Sequence, residues 1–273
     1  MILLTDRFFK LYYPLQNNTF SGDSLPLRLI VLDEVDSTND YLKTKLSNFK
    51  PFPEYTAIMA KNQTKGRGQR QNEWLAQPHV NITMSMLLLP DYLRISEHFQ
   101  LNMAISLALV QWLDSIGVEA EIKWPNDLLI QGKKVCGILI ENSVKGAAIR
   151  QSIVGIGINA NQTEFPDSIA QKASSIFRET GYLIPNIAEA CQAIQQHVRA
   201  YLEQVRTGSL SPTQLLADYN QRLFQKNKPA LYKSEGKIFE ATLSHVEADG
   251  RLYLLEGQKL SSYYFKEVEF LMQ

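Results

Sequence analysis

The segment 64–70 reads TKGRGQR, two glycines and three cations in seven positions. Such a stretch cannot build a core and holds a helix poorly. Its glycines let the backbone approach a ligand closely, and Lys65, Arg67 and Arg70 offer charge to an anion. A solvated surface loop has the same composition, so the segment takes its meaning from what accompanies it.

Residues 123–127 read KWPND. Pro125 has no N–H and keeps Trp124 extended, so a strand is expected to begin after it, with Asn126 and Asp127 at its mouth. An Asx turn would account for the Pro-Asn-Asp alone. The QGKK that follows at 131–134 reads as the turn of a β-hairpin that carries Lys134 back toward the same end. By itself that lysine would be an ordinary solvated turn residue. Gly137 removes a side chain from the return strand where something has to approach, and Asn159 comes directly after GIGI at 155–158. Together these are parts that can hold an anionic nucleotide against a small ligand.

Other chemistries are excluded. GIGINA at 155–160 fits G-x-G-x-x-A, but the turn-rich NQTEFPDS follows where a dinucleotide site needs a helix. No phosphate-binding G-x-x-x-x-G-K-[ST] occurs. Lys plus Arg equals Asp plus Glu at 28 each, so no net field draws the chain to nucleic acid or an anionic membrane. Cys136 and Cys191 fall in strand-like and helix-like segments and read as buried hydrophobes, and with four scattered histidines and no CxxC a structural zinc is not expected. The first apolar run is too short for a secretory segment and no stretch is long enough to span a bilayer, so a cytoplasmic protein is expected.

Strands and helices are interspersed along the chain that carries these residues. LRLIVLDEV, YTAIMAKNQ, NITMSMLLL and QSIVGIGINA read as strands, with two more about QGKK. DSTNDYLKTKL starts a helix capped by Asp36 or Ser37, and Ser96 is expected to cap a long buried helix that ends at Gly117. Asn186 with Glu189 forms a capping box, and Pro212 opens a last helix after Ser211. Beyond QRLFQKNKP the texture changes to short alternating segments, expected to form a small β-barrel. The class is α+β, with a mixed, mostly antiparallel sheet.

STND at 37–40, QTKGRGQRQNEW at 63–74, KWPNDLLIQGKKVCGILIE at 123–141 and GIGIN at 155–159 stand in the order seen in biotin protein ligases. The chain resembles that family from about Leu27 to its end. The resemblance implies a division into an N-terminal extension (1–26), a class II aminoacyl-tRNA synthetase-like catalytic domain (27–224) and an SH3-like barrel (225–273). It implies that biotin and ATP, with Mg²⁺, give biotinyl-5′-AMP, whose biotinyl group passes to a lysine on the biotin carboxyl carrier domain of a carboxylase. Ser37, Thr38, Asn39, Gln63, Gly66, Arg67, Gly68, Lys134 and Gly137 would then serve biotin. Arg67, Arg70, Trp74, Asn126, Asp127, Lys134 and Asn159 would serve ATP. Lys134, Arg67 and Asp127 would be catalytic, Asp127 would hold the metal, and the glycine loop would close over the adenylate.

Since the biotin carboxylate is itself the nucleophile, alignment and positive charge are what such an enzyme must supply. Gln69 stands where the family usually has arginine, and a looser hold on the adenylate is expected from the lost cation; Gln71 stands where it commonly has glycine, which would alter only the flexibility of the lid. With 26 residues before the first core strand, a ligase that binds no DNA is expected, either monomer or homodimer. A lipoate-type ligase shares the acyl-adenylate chemistry but lacks this pairing of GRG with KWPND. An RNA-binding module built on KGRGQR is opposed by the zero net charge and by the lack of an aromatic stacking platform beside it.

Overall fold

The structure, a computed structural model, describes residues 10–11, 27–48, 52–69 and 72–271. The expected role of the N-terminal extension falls almost wholly outside these residues, as do Arg70 and Gln71.

An eight-stranded sheet forms from β1 (Lys10–Leu11), β2 (Leu29–Val35), β3 (Ala57–Gln63), β4 (Ile82–Leu88), β5 (Glu121–Lys123), β6 (Asp127–Ile130), β7 (Lys133–Lys145) and β8 (Ala148–Ile158), in the order β1-β2-β3-β4-β8-β7-β6-β5. Only β2 and β3 pair in parallel, through the crossover helix α1 (Thr38–Asn48), so the sheet is mixed. Helices α2 (His98–Ser115) and α4 (Ile187–Thr207) pack together in the main core, and α5 (Pro212–Gln221) packs on α2. Helix α1 closes a smaller cluster of Ile30, Leu42, Ile58, Leu87 and Ile153. Strand β4, covered on both faces, is buried at every residue, which is why its sequence runs almost continuously apolar.

Local chemistry sets most boundaries. Asn186 accepts from the N–H groups of Ala188 and Glu189 and donates to the Glu189 carboxylate, while Ser211 accepts from Gln214 N–H ahead of Pro212. Gln131 (φ 50°) and Gly132 (φ 77°) are both left-handed, the backbone that a two-residue hairpin between right-twisted strands requires. Ser96 does not cap α2. It lies in a 3₁₀ turn (Ile95–Glu97) in which Arg94 N–H donates to the Glu97 carboxylate at 2.9 Å, and the helix begins one residue later. Strand β5 lies before Pro125 and pairs antiparallel with β6, Lys123 opposite Asp127, so KWPND is the turn of a hairpin as well as the start of a strand. The short helix α3 (Ile176–Thr180), capped by Ser175 and ended by Gly181 at φ 74°, was not expected.

The expected C-terminal strands form a five-stranded antiparallel sheet of β9 (Pro229–Ser234), β10 (Lys237–Val246), β11 (Leu252–Glu256), β12 (Lys259–Tyr263) and β13 (Glu269–Phe270), in the order β12-β11-β10-β9-β13. It is fastened to the β5–β6 connection and to α5 by polar contacts. Trp124 Nε1 donates to Gly250 O at 2.9 Å, and the Asn220 amide exchanges two hydrogen bonds with the Val246 backbone. Among the described residues, no helix is long and apolar enough to cross a membrane.

Candidate active site

Register places the site. Thr83, Gly157, Gly137, Asp127 and Lys123 are successive cross-strand partners on β4, β8, β7, β6 and β5, so their side-chain positions share one face of the sheet. Lys134 would point to the opposite face if the β6–β7 pairing were regular. Leu128 pairs with Cys136 but Leu129 pairs with Lys134, and the extra residue, Val135, turns Lys134 onto the face of Asp127. Lys134 Nζ then lies 2.7 Å from Asp127 Oδ1. A cavity of about 490 Å³ lies over this face.

One end of the cavity is neutral and polar. Because β2 and β3 run parallel with Val35 beside Gln63, the start of α1 meets the Gln63 side chain. Thr38 donates to Gln63 Oε1 through its N–H (2.9 Å) and its hydroxyl (3.1 Å). Ser85 Oγ lies 2.7 Å from Thr38 Oγ1 and 2.5 Å from Asn39 Oδ1, and Asn39 Nδ2 donates to Glu141 at 2.8 Å. A Cβ on Gly155 would fall 2.5 Å from Asn39 Oδ1, so glycine there makes room for the amide. Glu141 also accepts from Arg67 Nη2 at 3.2 Å, and Asp40 pairs with Arg67 Nη1.

The other end carries charge. Asn126 Nδ2 donates to Ile138 O, which fixes the amide next to Asp127, and Tyr219 OH donates to Pro125 O at 2.7 Å. The indole of Trp74 packs on the glycine pair. A Cβ on Gly157 would meet Trp74 Cε2 at 2.4 Å and one on Gly137 would meet Cζ3 at 3.1 Å. Lys134 Nζ is 5.8 Å from the Trp74 ring centroid, and Trp74 Nε1 is buried with no hydrogen-bond partner among the described residues. Residues on either side of the loop bond each other, Trp74 N–H donating to Gly66 O (2.9 Å) and Gly68 N–H to Asn72 O (2.7 Å). Phe265, Lys266, Val268, Glu269 and Phe270 from the second sheet close this end.

Of the residues singled out by sequence, Ser37, Thr38, Asn39, Gln63, Arg67, Gly68, Trp74, Asn126, Asp127, Lys134 and Gly137 line this one cavity, as does Gln69. Gly66 lines an adjoining cavity that shares Gln63, Arg67, Gly68 and Trp74 with this one. Its missing side chain leaves space that Trp74 O would otherwise share with a Cβ at 2.3 Å. Asn159 does not line the cavity. It is buried, donates to Ser174 O at 3.0 Å, and its backbone binds Val135 and Ile176, so it braces the chain behind β7. Arg70 lies outside the described residues. Sequence reasoning missed Ser85, Gly155, Glu141 and Lys123 as site residues, although the last three stand within quoted motifs, and it missed the segment 265–270. Among the described residues, no three His, Cys, Asp or Glu side chains converge as a metal-binding group. Asp127 and Asn126 are hard oxygen donors, a set that suits Mg²⁺ only if substrate phosphates complete the shell.

Residues 31–159 match the family described as the Biotin/lipoate A/B protein ligase family. The chain is 35% identical over 193 residues to the bifunctional ligase/repressor BirA of Bacillus subtilis, an alignment that covers 68% of this chain and 58% of that protein. It is 27% identical over 202 residues to the biotin–[acetyl-CoA-carboxylase] ligase of Mycobacterium tuberculosis, covering 71% and 70%. Its structure is similar to that of a biotin protein ligase from Aquifex aeolicus in complex with biotin and ATP, with a TM-score of 0.74, 27% identity, and coverage of 90% of this chain and 99% of that one. The chain thus spans a little over half the length of the Bacillus relative.

Proposed function

The chain belongs to the biotin/lipoate A/B protein ligase family, and from that premise we propose that it is an ATP-dependent biotin–protein ligase. The reading is carried by one observation: a neutral pocket of amides and hydroxyls and a lysine–aspartate pair occupy the two ends of one cavity. A ureido group both donates and accepts hydrogen bonds and can replace the bonds that Thr38, Asn39 and Gln63 now make among themselves. The dithiolane of lipoate neither donates nor accepts such bonds and would gain none of them.

With the ureido ring at the neutral end, the valeryl chain runs over Gly137 and its carboxylate comes to Lys134. A carboxylate oxygen attacks the α-phosphorus of ATP, the bond from that phosphorus to the bridging oxygen breaks, and pyrophosphate departs with the electron pair. Lys134 holds the carboxylate and the α-phosphate together and stabilises the charge on the phosphoryl oxygens. Trp74 gives the adenosine part a flat apolar wall, and Arg67, freed from Asp40 and Glu141 when an anion arrives, turns to the adenylate. Asp127 and Asn126 would hold Mg²⁺, which when bound neutralises phosphate charge. In the second step a lysine amine of a carrier domain attacks the acyl carbonyl and AMP leaves. Residues 27–224 would form the catalytic domain and 225–273 its companion.

Exchange of labelled pyrophosphate into ATP tests this. Exchange is expected with biotin and not with lipoate. Biotin-independent exchange, or exchange supported by lipoate alone, would refute the assignment.

A further inference from the structure

Lys123 has no part in the roles above, and its position calls for one. It stands directly opposite Asp127 on the site face and lines the charged end of the cavity, beside residues 265–270 of the second sheet. It is half-buried, and its ammonium lies 5.5 Å from the Phe270 ring centroid. Asp127 Oδ1, the acid nearest in register, is taken by Lys134 at 2.7 Å, and among the described residues no carboxylate forms an ion pair with Lys123. Burial, reinforced by the neighbouring Lys134 and Lys172, draws its pKa below the ordinary lysine value despite Asp127 and Glu269.

A partly desolvated cation with no carboxylate in ion-pair contact is unfavourable. If its purpose were to pin Phe270, an uncharged side chain of the same length would do so without that penalty. The arrangement is explained if the counter-ion is a ligand. Lys134 stands over β6 and β7, and Lys123 lies farther along the same face, on β5. A phosphate chain running outward across these strands meets Lys134 first and Lys123 after it.

We propose that Lys123 binds the β- and γ-phosphates of ATP, and so receives the leaving pyrophosphate. This rests on the proposed ligase reading. As the bond from the α-phosphorus breaks, negative charge grows on the departing oxygen, and an ammonium fixed beyond the reacting centre stabilises it. Lys266, which lines the same end, widens the positive field there.

The test uses the full chain and the variants Lys123→Met and Lys123→Arg. Inorganic pyrophosphate binding, measured by calorimetry with Mg²⁺, is expected to weaken about tenfold or more in Lys123→Met and to recover largely in Lys123→Arg. The KM for pyrophosphate in the exchange reaction should rise in parallel, while biotin affinity and transfer from added biotinyl-5′-AMP stay within about twofold. Equal pyrophosphate affinity in the parent and Lys123→Met would overturn the inference, whatever the exchange assay shows. So would a loss shared by both variants and accompanied by weaker biotin binding, which would mark a structural role. Absence of biotin-dependent exchange in the parent would refute the ligase reading alone, because pyrophosphate binding still decides the role of Lys123.

Discussion

The two ends of the cavity are built on different principles. At the neutral end, Thr38, Gln63, Ser85, Asn39 and Glu141 bond one another in an unbroken chain, so the pocket holds its shape without a ligand. At the charged end, Trp74 Nε1 is buried and has no partner among the described residues, one aspartate faces two lysines, and the closing wall comes from a second sheet. Recognition of an uncharged ring gains from bonds set in advance. Stabilising charge that develops during a reaction requires cations held in place before that charge exists. The first end should therefore govern affinity and the second should govern rate.

The largest test of this division is Lys134→Ala. Adenylate formation is expected to fall about a thousandfold or more, with biotin affinity changed no more than a few-fold, because the ammonium acts chiefly on the transition state. Single-turnover release of pyrophosphate together with calorimetric biotin binding checks both halves. A parallel loss of affinity would erase the distinction between the ends. Next comes Gly157→Val. Its Cβ would enter the space of the Trp74 indole at 2.4 Å, so the ring must leave the sheet. The KM for ATP should rise roughly tenfold or more while biotin affinity is largely kept, if stacking on that ring contributes as aromatic contacts commonly do. A smaller effect of the opposite kind is expected from Asn39→Ala, which removes the Glu141 and Ser85 partners at once. Biotin affinity should drop about tenfold, and the KM for ATP at saturating biotin should hardly move.

These tests also mark what the sequence made legible. The residue types of the site could be read because each chemical group sits in a short contiguous motif: STND, GRG, KWPND and GKK are local facts. That Lys134 faces Asp127 depends on the extra residue Val135, and a bulge leaves no composition signal. Glu141 and Lys123 were visible as letters, but their roles come from register, since Glu141 lies 102 positions from the amide it accepts from and Lys123 acquires its surroundings from strands paired across the sheet. Asn159, read as a ligand contact from its place after GIGI, donates to Ser174 O and pairs with Val135 through its backbone, while its Oδ1 is buried with no partner among the described residues. The contribution of residues 265–270 to the cavity is a tertiary fact, set by how the second sheet docks.

That docking supplies the smallest prediction and the most discriminating one. Trp124 belongs to the KWPND motif, yet its indole N–H donates to Gly250 O and its ring meets Phe265 edge-on at 5.9 Å. Trp124→Phe keeps an aromatic ring and removes the one hydrogen bond, leaving the Gly250 carbonyl short of a donor, so thermal unfolding should report a loss of about 1 kcal/mol. Its functional effect should be unequal. The neutral end lies wholly within the first sheet and its helix, so biotin affinity should not change. The charged end needs the second sheet to be seated, so the KM for ATP should rise about two- to threefold, roughly what half of that energy would produce. If biotin affinity falls by the same factor, the second sheet supports the whole cavity evenly, and the difference between the ends would then lie in charge alone, with no separate scaffold behind each.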